Sequence, residues 1–337
     1  MIHIRTNVRS KVFVTIPLPK QTLELIDSKC SMEAWDSEDS VPRDLLLQKV
    51  SEIDGLVEDG DRIDAELLNQ ASRLRVISNF GVGVDNIDIS EATKRGIIVG
   101  NTPGVLTETT ADLAFSLMLA AARRIVEGAE GVKRGRWKNW GPMNLLGVDV
   151  HGATLGIIGL GRIGSAVARR GKGFGMKLAY YSRGRHTEIE NEIGIKFMDL
   201  NTLLGECDFL SIHTRLTPET YHLIGEKEFL RMKSKCILVN TSRGAVVDSN
   251  ALYEALSQHK IAYAALDVTD PEPIPPDHPL LKLDNALITP HIGSASMATR
   301  IKMGSMVAEN LFAGLKGEMP PNPVNPEALL KKTTALT

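Results

Sequence analysis

The feature that most restricts the fold of this chain is a glycine-rich turn at residues 159–164, GLGRIG. The apolar run ATLGII precedes it and is typical of a strand, and SAVARR follows it and favours a helix. Strand, GxGxxG turn and helix in this order are the fingerprint of a βαβ unit that binds a dinucleotide. The glycines alone would be a weak signal, and their context makes them specific.

Each glycine of the turn has a separate physical role. Gly159 permits the tight turn, Gly161 lets the backbone approach a pyrophosphate, and Gly164 lets the helix pack closely on the strand. The helix N-terminus that follows favours negative charge. We therefore expect the whole turn to contact a dinucleotide, through Gly159, Leu160, Gly161, Arg162, Ile163 and Gly164.

The stretch AYYSRGRH, residues 179–186, bears on which dinucleotide is bound. An NAD site usually has an Asp or Glu about twenty residues after the glycines, where this chain has Ser182, Arg183 and Arg185. A hydroxyl and guanidinium groups suit the extra phosphate of NADP, and a charge-assisted hydrogen bond contributes about 1.5–3 kcal/mol. We predict NADP(H) as the preferred cofactor, with NAD(H) possible. The alternative is that these arginines are solvated loop residues.

Short apolar strands alternate with amphipathic helices along two stretches of the chain. A length of 337 residues favours two domains, and the alternation predicts parallel sheets covered on both faces. A long helix at about 107–126, capped by Thr107 and buried between layers, should separate the two series, and a final helix should span about 298–314. The predicted strands fall at 11–16, 55–58, 74–80, 97–101, 153–159, 178–182, 208–213, 237–242, 262–268 and 286–292.

Charge and cysteine content exclude several classes of protein. Lysine and arginine number 39 against 41 acidic residues, which argues against nucleic acid and anionic membranes as partners. Cys30, Cys207 and Cys236 have no spacing typical of disulfides or zinc, so we expect a reducing compartment and no metal. Residues 1–20 lack a signal-peptide pattern, and the most apolar run, 113–122, is too short to span a bilayer. These points favour the cytoplasm.

Three motifs follow predicted strands of the second series: ILVNTSRGAVVD, AALDVTDPEP and LITPHIGSAS. Open α/β sheets bind ligands at these strand ends. Reduction of a keto acid with a nicotinamide needs a cation for the substrate oxygens, a proton donor, and a group that tunes the donor. Arg243, His291 and Glu272 have the required chemistry. Taken singly, an arginine in such a loop is usually part of a surface ion pair, a glutamate between prolines is usually exposed, and a histidine at a strand end is often structural.

Together the motifs resemble the D-isomer-specific 2-hydroxyacid dehydrogenase family, and most closely its glyoxylate and hydroxypyruvate reductase branch. GVGVDNID, ATKRGI, NTPGVLTETTADL, GLGRIG, VNTSRG, LDVTDPEP and PHIGSA occur in the family's order over nearly the whole chain. The resemblance implies that Arg243 binds the substrate carboxylate and carbonyl oxygen, that His291 protonates that oxygen, and that Glu272 pairs with His291. An acidic partner would keep His291 protonated at neutral pH.

The resemblance also assigns further contacts. It implies that backbone amides of Val82 and Gly83 bind the substrate carboxylate, where the alternative is a plain strand-to-helix turn. Trp140 is a candidate to reach a neighbouring subunit's substrate pocket, with burial in a dimer contact as the alternative. Besides the glycine turn and residues 182–185, the implied cofactor contacts are Thr241, Ser242, Arg243, Asp267, His291 and Gly293.

The fold implied is α/β, with two doubly wound, parallel-sheet, Rossmann-like domains and the active cleft between them. Residues 1–101 plus 291–337 would form a discontinuous substrate domain and 102–290 the dinucleotide-binding domain, with a homodimer formed through the helix and loop at 102–146. The expected reaction is NADPH-preferring reduction of glyoxylate to glycolate and of hydroxypyruvate to D-glycerate. Alternatives are a dehydrogenase for a bulkier keto acid, such as 2-ketogluconate or a phenylpyruvate, and a nucleotide-sensing, corepressor-like binding protein.

Overall fold

A computed structural model of the chain describes residues 9–37 and 39–329. Residues 1–8, the first part of the segment considered above for a signal peptide, lie outside the described residues. The chain divides into two compact units, residues 1–106 with 295–337 and residues 107–294. The boundaries that we expected, after 101 and after 290, lie a few residues earlier.

The first unit contains a five-stranded parallel sheet in the order β2-β1-β3-β4-β5. Apart from the edge strand β2, the strands are nearly continuous runs of buried residues, as expected for a sheet covered on both faces. The strands are β1 (Lys11–Val14), β2 (Ser31–Ala34), β3 (Gly55–Glu58), β4 (Val76–Asn79) and β5 (Ile98–Gly100). The helices are α1 (Lys20–Lys29), α2 (Arg43–Val50), α3 (Ala65–Gln70), α4 (Ile89–Lys94) and α12 (Met297–Lys316).

The long helix α12 follows the second unit in the chain but packs on the first sheet. The Ser78 hydroxyl donates to the carbonyl of Val307 at 2.9 Å, and a Cβ on Gly314 would lie 2.5 Å from the side chain of Val76. Gly317, with φ 77°, ends the helix in the left-handed conformation that glycine adopts without strain. The final helix expected over about 298–314 is therefore confirmed, and it extends from Met297 to Lys316.

The second unit contains a seven-stranded parallel sheet in the order β12-β11-β10-β9-β6-β7-β8. β6 is an inner strand, between β9 and β7, so the glycine turn that follows β6 leaves the sheet between the ends of these two strands. The strands are β6 (Thr154–Ile158), β7 (Lys177–Tyr181), β8 (Lys196–Phe197), β9 (Phe209–Ile212), β10 (Ile237–Asn240), β11 (Tyr263–Leu266) and β12 (Ala286–Ile288). The helices are α5 (Thr107–Ala122), α6 (Ile125–Lys133), α7 (Arg162–Gly173), α8 (Thr187–Ile193), α9 (Leu200–Glu206), α10 (Glu226–Phe229) and α11 (Ser249–Ser257).

The α/β fold class with two parallel-sheet units is thus confirmed, and two edge strands were missed. β2 has the sequence SMEA with mostly exposed side chains, and β8 is only two exposed residues long. Edge strands need no apolar run on both faces, because one long side meets solvent. Hydrophobic patterning therefore gave no signal for either strand.

The helix predicted over 107–126 is shorter and less buried than expected. α5 ends at Ala122, Arg124 takes a left-handed conformation with φ 52°, and α6 starts at Ile125. The helix ends there because the returning chain packs on it, with the Val148 amide donating to the Ala122 carbonyl at 2.9 Å. Thr107 is itself the first helical residue, and one face of α5 remains exposed.

In the part of the chain that the structure describes, no helix is long and apolar enough to cross a bilayer.

Candidate active site

The glycine turn of the second unit has the geometry of a dinucleotide cradle. Gly159 has φ 90°, and a Cβ there would lie 2.8 Å from the carbonyl of His213. A Cβ on Gly164 would lie 2.1 Å from the carbonyl oxygen of Gly159, so only glycine lets the helix approach this closely. At Gly161 no described atom lies within 4 Å of the position that a Cβ would take, so there is open space next to the backbone.

The first turn of α7 supplies donors to that open space. Gly161 is the N-cap and has no side chain to satisfy the amides of the first turn. The amides of Arg162, Ile163 and Gly164 therefore lie at a helix terminus that favours an anion. These residues fit the pyrophosphate of a dinucleotide, and when bound, a nicotinamide dinucleotide would supply a hydride to the substrate.

The two arginines of the loop after β7, Arg183 and Arg185, have different surroundings. Arg185 forms an ion pair with Glu190 at 2.5 Å, and that hydrogen bond, with one from the Tyr180 hydroxyl, lowers the pKa of Glu190 to about 2. Its charge is therefore already matched by an acid of α8. The Ser182 hydroxyl makes a long contact of 3.4 Å to the Gly184 carbonyl. Neither Ser182 nor Arg183 forms a hydrogen bond or an ion pair with an acidic side chain in the described chain.

The loop after β10 is fixed by Asn240, which the sequence analysis did not single out although it belongs to VNTSRG. Its Oδ1 accepts from the amide and hydroxyl of Ser242 at 3.0 and 2.8 Å, and its Nδ2 donates to the Arg243 carbonyl at 2.9 Å. The Arg243 guanidinium donates to the Ser242 carbonyl at 2.9 Å. Asn240 thus stabilises the turn that presents Arg243.

Two further features of this loop bear on the site. A Cβ on Gly244 would lie 1.9 Å from the Thr269 carbonyl oxygen, so the Arg243 loop packs directly on the loop that carries Glu272. The buried Thr241 hydroxyl has no hydrogen-bond partner in the described chain. A buried hydroxyl with no partner is costly, and a bound cofactor would satisfy it.

Glu272 and His291 form a short, direct pair. Glu272 Oε1 lies 2.5 Å from His291 Nδ1, and Glu272 Oε2 accepts from the Thr269 amide at 3.2 Å. The hydrogen bond to Glu272 raises the pKa of His291 against the opposing effect of burial. Burial would raise the pKa of Glu272, but the hydrogen bond and charge of His291 outweigh it and the pKa is lowered. Both shifts favour an imidazolium beside a carboxylate.

The backbone at His291 is held in an unusual conformation. His291 has φ 51°, a left-handed conformation that costs a non-glycine residue about 1–2 kcal/mol. Its amide donates to the Asp267 carbonyl at 3.0 Å, and Asp267 Oδ1 accepts from the Ile292 amide at 2.9 Å and the Thr289 hydroxyl at 2.6 Å. Asp267, expected as a cofactor contact, is buried and braces this turn. A Cβ on Gly293 would lie 3.3 Å from Asp267 Oδ2.

With Nδ1 bound to Glu272, the other ring nitrogen of His291 is available to a substrate. No hydrogen bond within residues 9–37 and 39–329 involves Nε2, and the side chain is 51% exposed. Arg243, Glu272 and His291 all follow strands of the same parallel sheet, so they share its carboxyl edge with the glycine turn. The structure therefore brings these four elements to one edge of the second unit.

Val82 and Gly83 lie in the first unit, in the loop after β4. Asn79 Nδ2 donates to the carbonyls of Gly81 and Gly83 at 3.1 and 2.8 Å, and Asn101 Nδ2 donates to that of Val82 at 2.8 Å. The amides of Val82 and Gly83 donate no hydrogen bond within the described residues. The carbonyls are fixed and two neighbouring N–H groups are available, which suits an anion.

Trp140 lies far along an exposed segment, residues 125–148, which we term the arm. Its side chain is 81% exposed, and no described contact places it at the Arg243, Glu272 and His291 set. The arm also exposes many apolar side chains, which monomeric surfaces rarely concentrate in one segment. They are Ile125, Val126, Val132, Trp137, Trp140, Met143, Leu145, Leu146 and Val148.

The cysteines take no part in this site. Cys30, Cys207 and Cys236 are all buried and free. No group of three or more His, Cys, Asp or Glu side chains is placed to hold a metal ion, as far as the described residues extend.

Comparison with known proteins agrees with the class that fold and site define, a two-domain oxidoreductase with a nicotinamide cofactor. Residues 115–293 match the family model described as D-isomer specific 2-hydroxyacid dehydrogenase, NAD binding domain. A glyoxylate reductase of Korarchaeum cryptofilum is 53% identical over 96% of this chain and 98% of its own length, and one of Thermococcus litoralis is 53% identical with the same coverage.

Solved structures show the same relationship. A Thermus thermophilus protein has a TM-score of 0.87 and 48% identity, with 93% of this chain and 99% of that one covered. An NADPH-dependent glyoxylate/hydroxypyruvate reductase of Sinorhizobium meliloti, solved with NADP and malonate, has a TM-score of 0.83 and 32% identity, covering 95% and 98%. The chain belongs to the D-isomer specific 2-hydroxyacid dehydrogenase family. It is an oxidoreductase that uses a nicotinamide cofactor.

Proposed function

We propose that this enzyme reduces glyoxylate to glycolate and hydroxypyruvate to D-glycerate, with NADPH in preference to NADH. The observation that carries the proposal is the 2.5 Å pair of Glu272 and His291, on the same sheet edge as Arg243 and the glycine turn. The names of the relatives from Korarchaeum, Thermococcus and Sinorhizobium support this substrate class.

In this proposal each group either binds the substrate, donates a proton to it or holds His291. Arg243 binds the carboxylate and carbonyl oxygen of the keto acid, and the amides of Val82 and Gly83 bind the carboxylate. His291 donates the proton on Nε2 to the carbonyl oxygen as the carbonyl carbon receives a hydride, so the C=O double bond becomes an alcohol. Glu272 holds Nδ1 and stabilises the positive charge on the ring until the proton leaves.

The NADPH preference rests on the loop after β7. Ser182 and Arg183 occupy the place where an acid would repel a 2'-phosphate, and Arg185 supports the loop from its ion pair with Glu190. We assign the phosphate contact to Ser182 and Arg183. Thr241, Ser242, Asp267 and Gly293 remain proposed cofactor neighbours.

The exposed arm supports a homodimer through residues 102–146. Nine large apolar side chains on one segment, each at least 37% exposed, fit a symmetric contact with a second copy. Trp140 takes part in that contact, either within the interface or at the neighbouring subunit's substrate pocket. The same proposal keeps residues 1–101 with 291–337 as substrate domain and 102–290 as cofactor domain.

Initial rates with glyoxylate, hydroxypyruvate and pyruvate, each with NADPH and with NADH, test the function directly. We expect the highest kcat/KM with NADPH and one of the first two acids. Phenylpyruvate and 2-ketogluconate serve as the bulky comparison. A clear preference for the bulky acids would contradict the proposed substrate class, and no turnover on any acid would favour a binding protein.

The paired substitution Ser182→Ala and Arg183→Asp tests the coenzyme preference. It should weaken NADPH binding by about 10- to 100-fold, because it removes one charge-assisted contact and adds a repelling charge. NADH binding should change little, since NADH lacks the phosphate. Dissociation constants from coenzyme fluorescence measure both, and unchanged NADPH affinity would contradict the role of this loop.

A further inference from the structure

The strands around the glycine turn end in register, and this places a second loop beside the proposed phosphate site. Ile158 of β6 pairs with Tyr181 of β7 on one side and with Ile212 of β9 on the other. The three chains therefore leave the sheet side by side, with the loops after β7 and β9 about two strand spacings, or about 10 Å, apart. An adenosine with its phosphate lies at this edge in such folds.

The loop after β9, residues 213–220, packs against the turn and is internally ordered. The position of a Cβ on Gly159 lies 2.8 Å from the His213 carbonyl and 2.9 Å from the Thr214 amide nitrogen. The Thr220 hydroxyl donates to the Arg215 carbonyl at 2.6 Å and accepts from the Thr217 amide at 2.8 Å. The backbone of Arg215 is thus fixed one residue beyond the contact with the glycine turn.

The side chain of Arg215 is exposed, and in the described chain it makes no hydrogen bond or ion pair. Arg183 lies in the loop after β7, on the other side of the glycine turn. The pKa of Glu219 is lowered by hydrogen bonds from Thr217 and from its own backbone, and then by the charge of Arg183. The charge of Arg183 therefore acts on Glu219, which agrees with the two loops leaving the sheet side by side.

We propose that the 2'-phosphate of NADPH is held from both sides of the glycine turn, by Ser182 and Arg183 after β7 and by Arg215 after β9, with Glu219 as an opposing charge. This inference rests on the proposed NADPH preference and adds a specificity residue to it. Two guanidinium groups suit a doubly charged phosphate. Glu219 competes with the phosphate for Arg183, and its negative charge repels the phosphate.

The two residues should have opposite effects on NADPH. Arg215→Ala should weaken NADPH binding by about tenfold and leave NADH within about twofold, because only the phosphate contact is lost. Glu219→Gln keeps the hydrogen-bonding shape but removes the negative charge, so it should tighten NADPH binding by about threefold without changing NADH.

Dissociation constants of NADPH and NADH, measured by fluorescence on the full-length chain, test the inference. Arg183→Ala is the positive control. Arg231→Ala is the matched control, because Arg231 is also exposed but lies away from the loop after β9. Its carbonyl oxygen is 3.9 Å from the Cβ position of Gly205, in the helix that precedes β9. Thermal midpoints check that every variant folds.

The outcomes separate this inference from the proposed function. If the unsubstituted enzyme prefers NADPH and Arg183→Ala loses the preference while Arg215→Ala keeps it, the role of Arg215 is overturned and the function stands. Equal affinity of the unsubstituted enzyme for both coenzymes overturns the NADPH preference and this inference together. Reduction of keto acids is assayed separately and does not depend on either result.

Discussion

Replacing His291 should lower kcat for glyoxylate reduction by about 10²- to 10⁴-fold, the usual contribution of a positioned general acid. Because His291 has φ 51°, alanine would add backbone strain to the loss of the imidazole. Asparagine tolerates the left-handed conformation and cannot act as the acid, so His291→Asn is the cleaner variant. Steady-state kinetics with saturating NADPH measures the effect, and NADPH affinity should stay within about threefold.

The pH dependence of the unsubstituted enzyme gives a second measure of the same residue. In the proposed mechanism the reduction needs protonated His291, so kcat/KM should be highest at low pH and fall as pH rises through the pKa of His291. That pKa is raised by the hydrogen bond to Glu272, so the fall should lie above the ordinary histidine value of about 6.5. Glu272→Gln keeps a hydrogen-bond acceptor but removes the charge, and should move the fall to lower pH.

Two results would contradict this account of His291. One is near-normal kcat in His291→Asn, which would mean that another group or water donates the proton. The other is a Glu272→Gln pH profile identical to that of the unsubstituted enzyme, which would mean that Glu272 does not control the charge of His291. A fall in kcat that is uniform across the pH range would point to lost positioning of the ring instead.

Much of the fold could be predicted because buried parallel strands leave a strong local pattern. Runs such as VFV and LGII are apolar on both faces and alternate with helices, which suffices for two parallel sheets. The edge strands β2 and β8 lack that pattern and were missed. The end of α5 at Ala122 depends on the hydrogen bond from the Val148 amide to the Ala122 carbonyl. This contact joins residues that are distant in the sequence, so no local sequence pattern predicts it.

The candidate site, like the fold, could be predicted from the sequence only in part. The residue types of the site, Arg243, Glu272 and His291, follow from motifs at strand ends. Their supports do not, because Asn240 and Asp267 act through hydrogen bonds that only the folded loops create. Likewise the pairing of Arg185 with Glu190 depends on where α8 starts, so sequence alone could not separate Arg185 from Arg183.

Loss of Arg243 should lower kcat/KM for the keto acid by about 10²- to 10³-fold, comparable to losing a donor that stabilises a developing oxyanion. In the proposed site Arg243 offers the substrate a planar guanidinium, and Asn240 fixes the turn that carries it through contacts that do not involve the guanidinium. Arg243→Ala should therefore fold normally and still bind NADPH, while KM rises and kcat falls together. Kinetics on glyoxylate and the thermal midpoint measure these two effects separately.

Arg243→Lys distinguishes charge from geometry. Lysine keeps the positive charge but not the two-pronged hydrogen bonding of a guanidinium, so this variant should recover only part of the activity lost in Arg243→Ala. Arg231→Ala is the matched control for the loss of an exposed arginine elsewhere in the same unit and should leave kcat/KM unchanged. If Arg243→Ala kept kcat/KM within threefold, the keto acid would have to be bound by other groups, and the proposed arrangement of substrate at this sheet edge would be wrong.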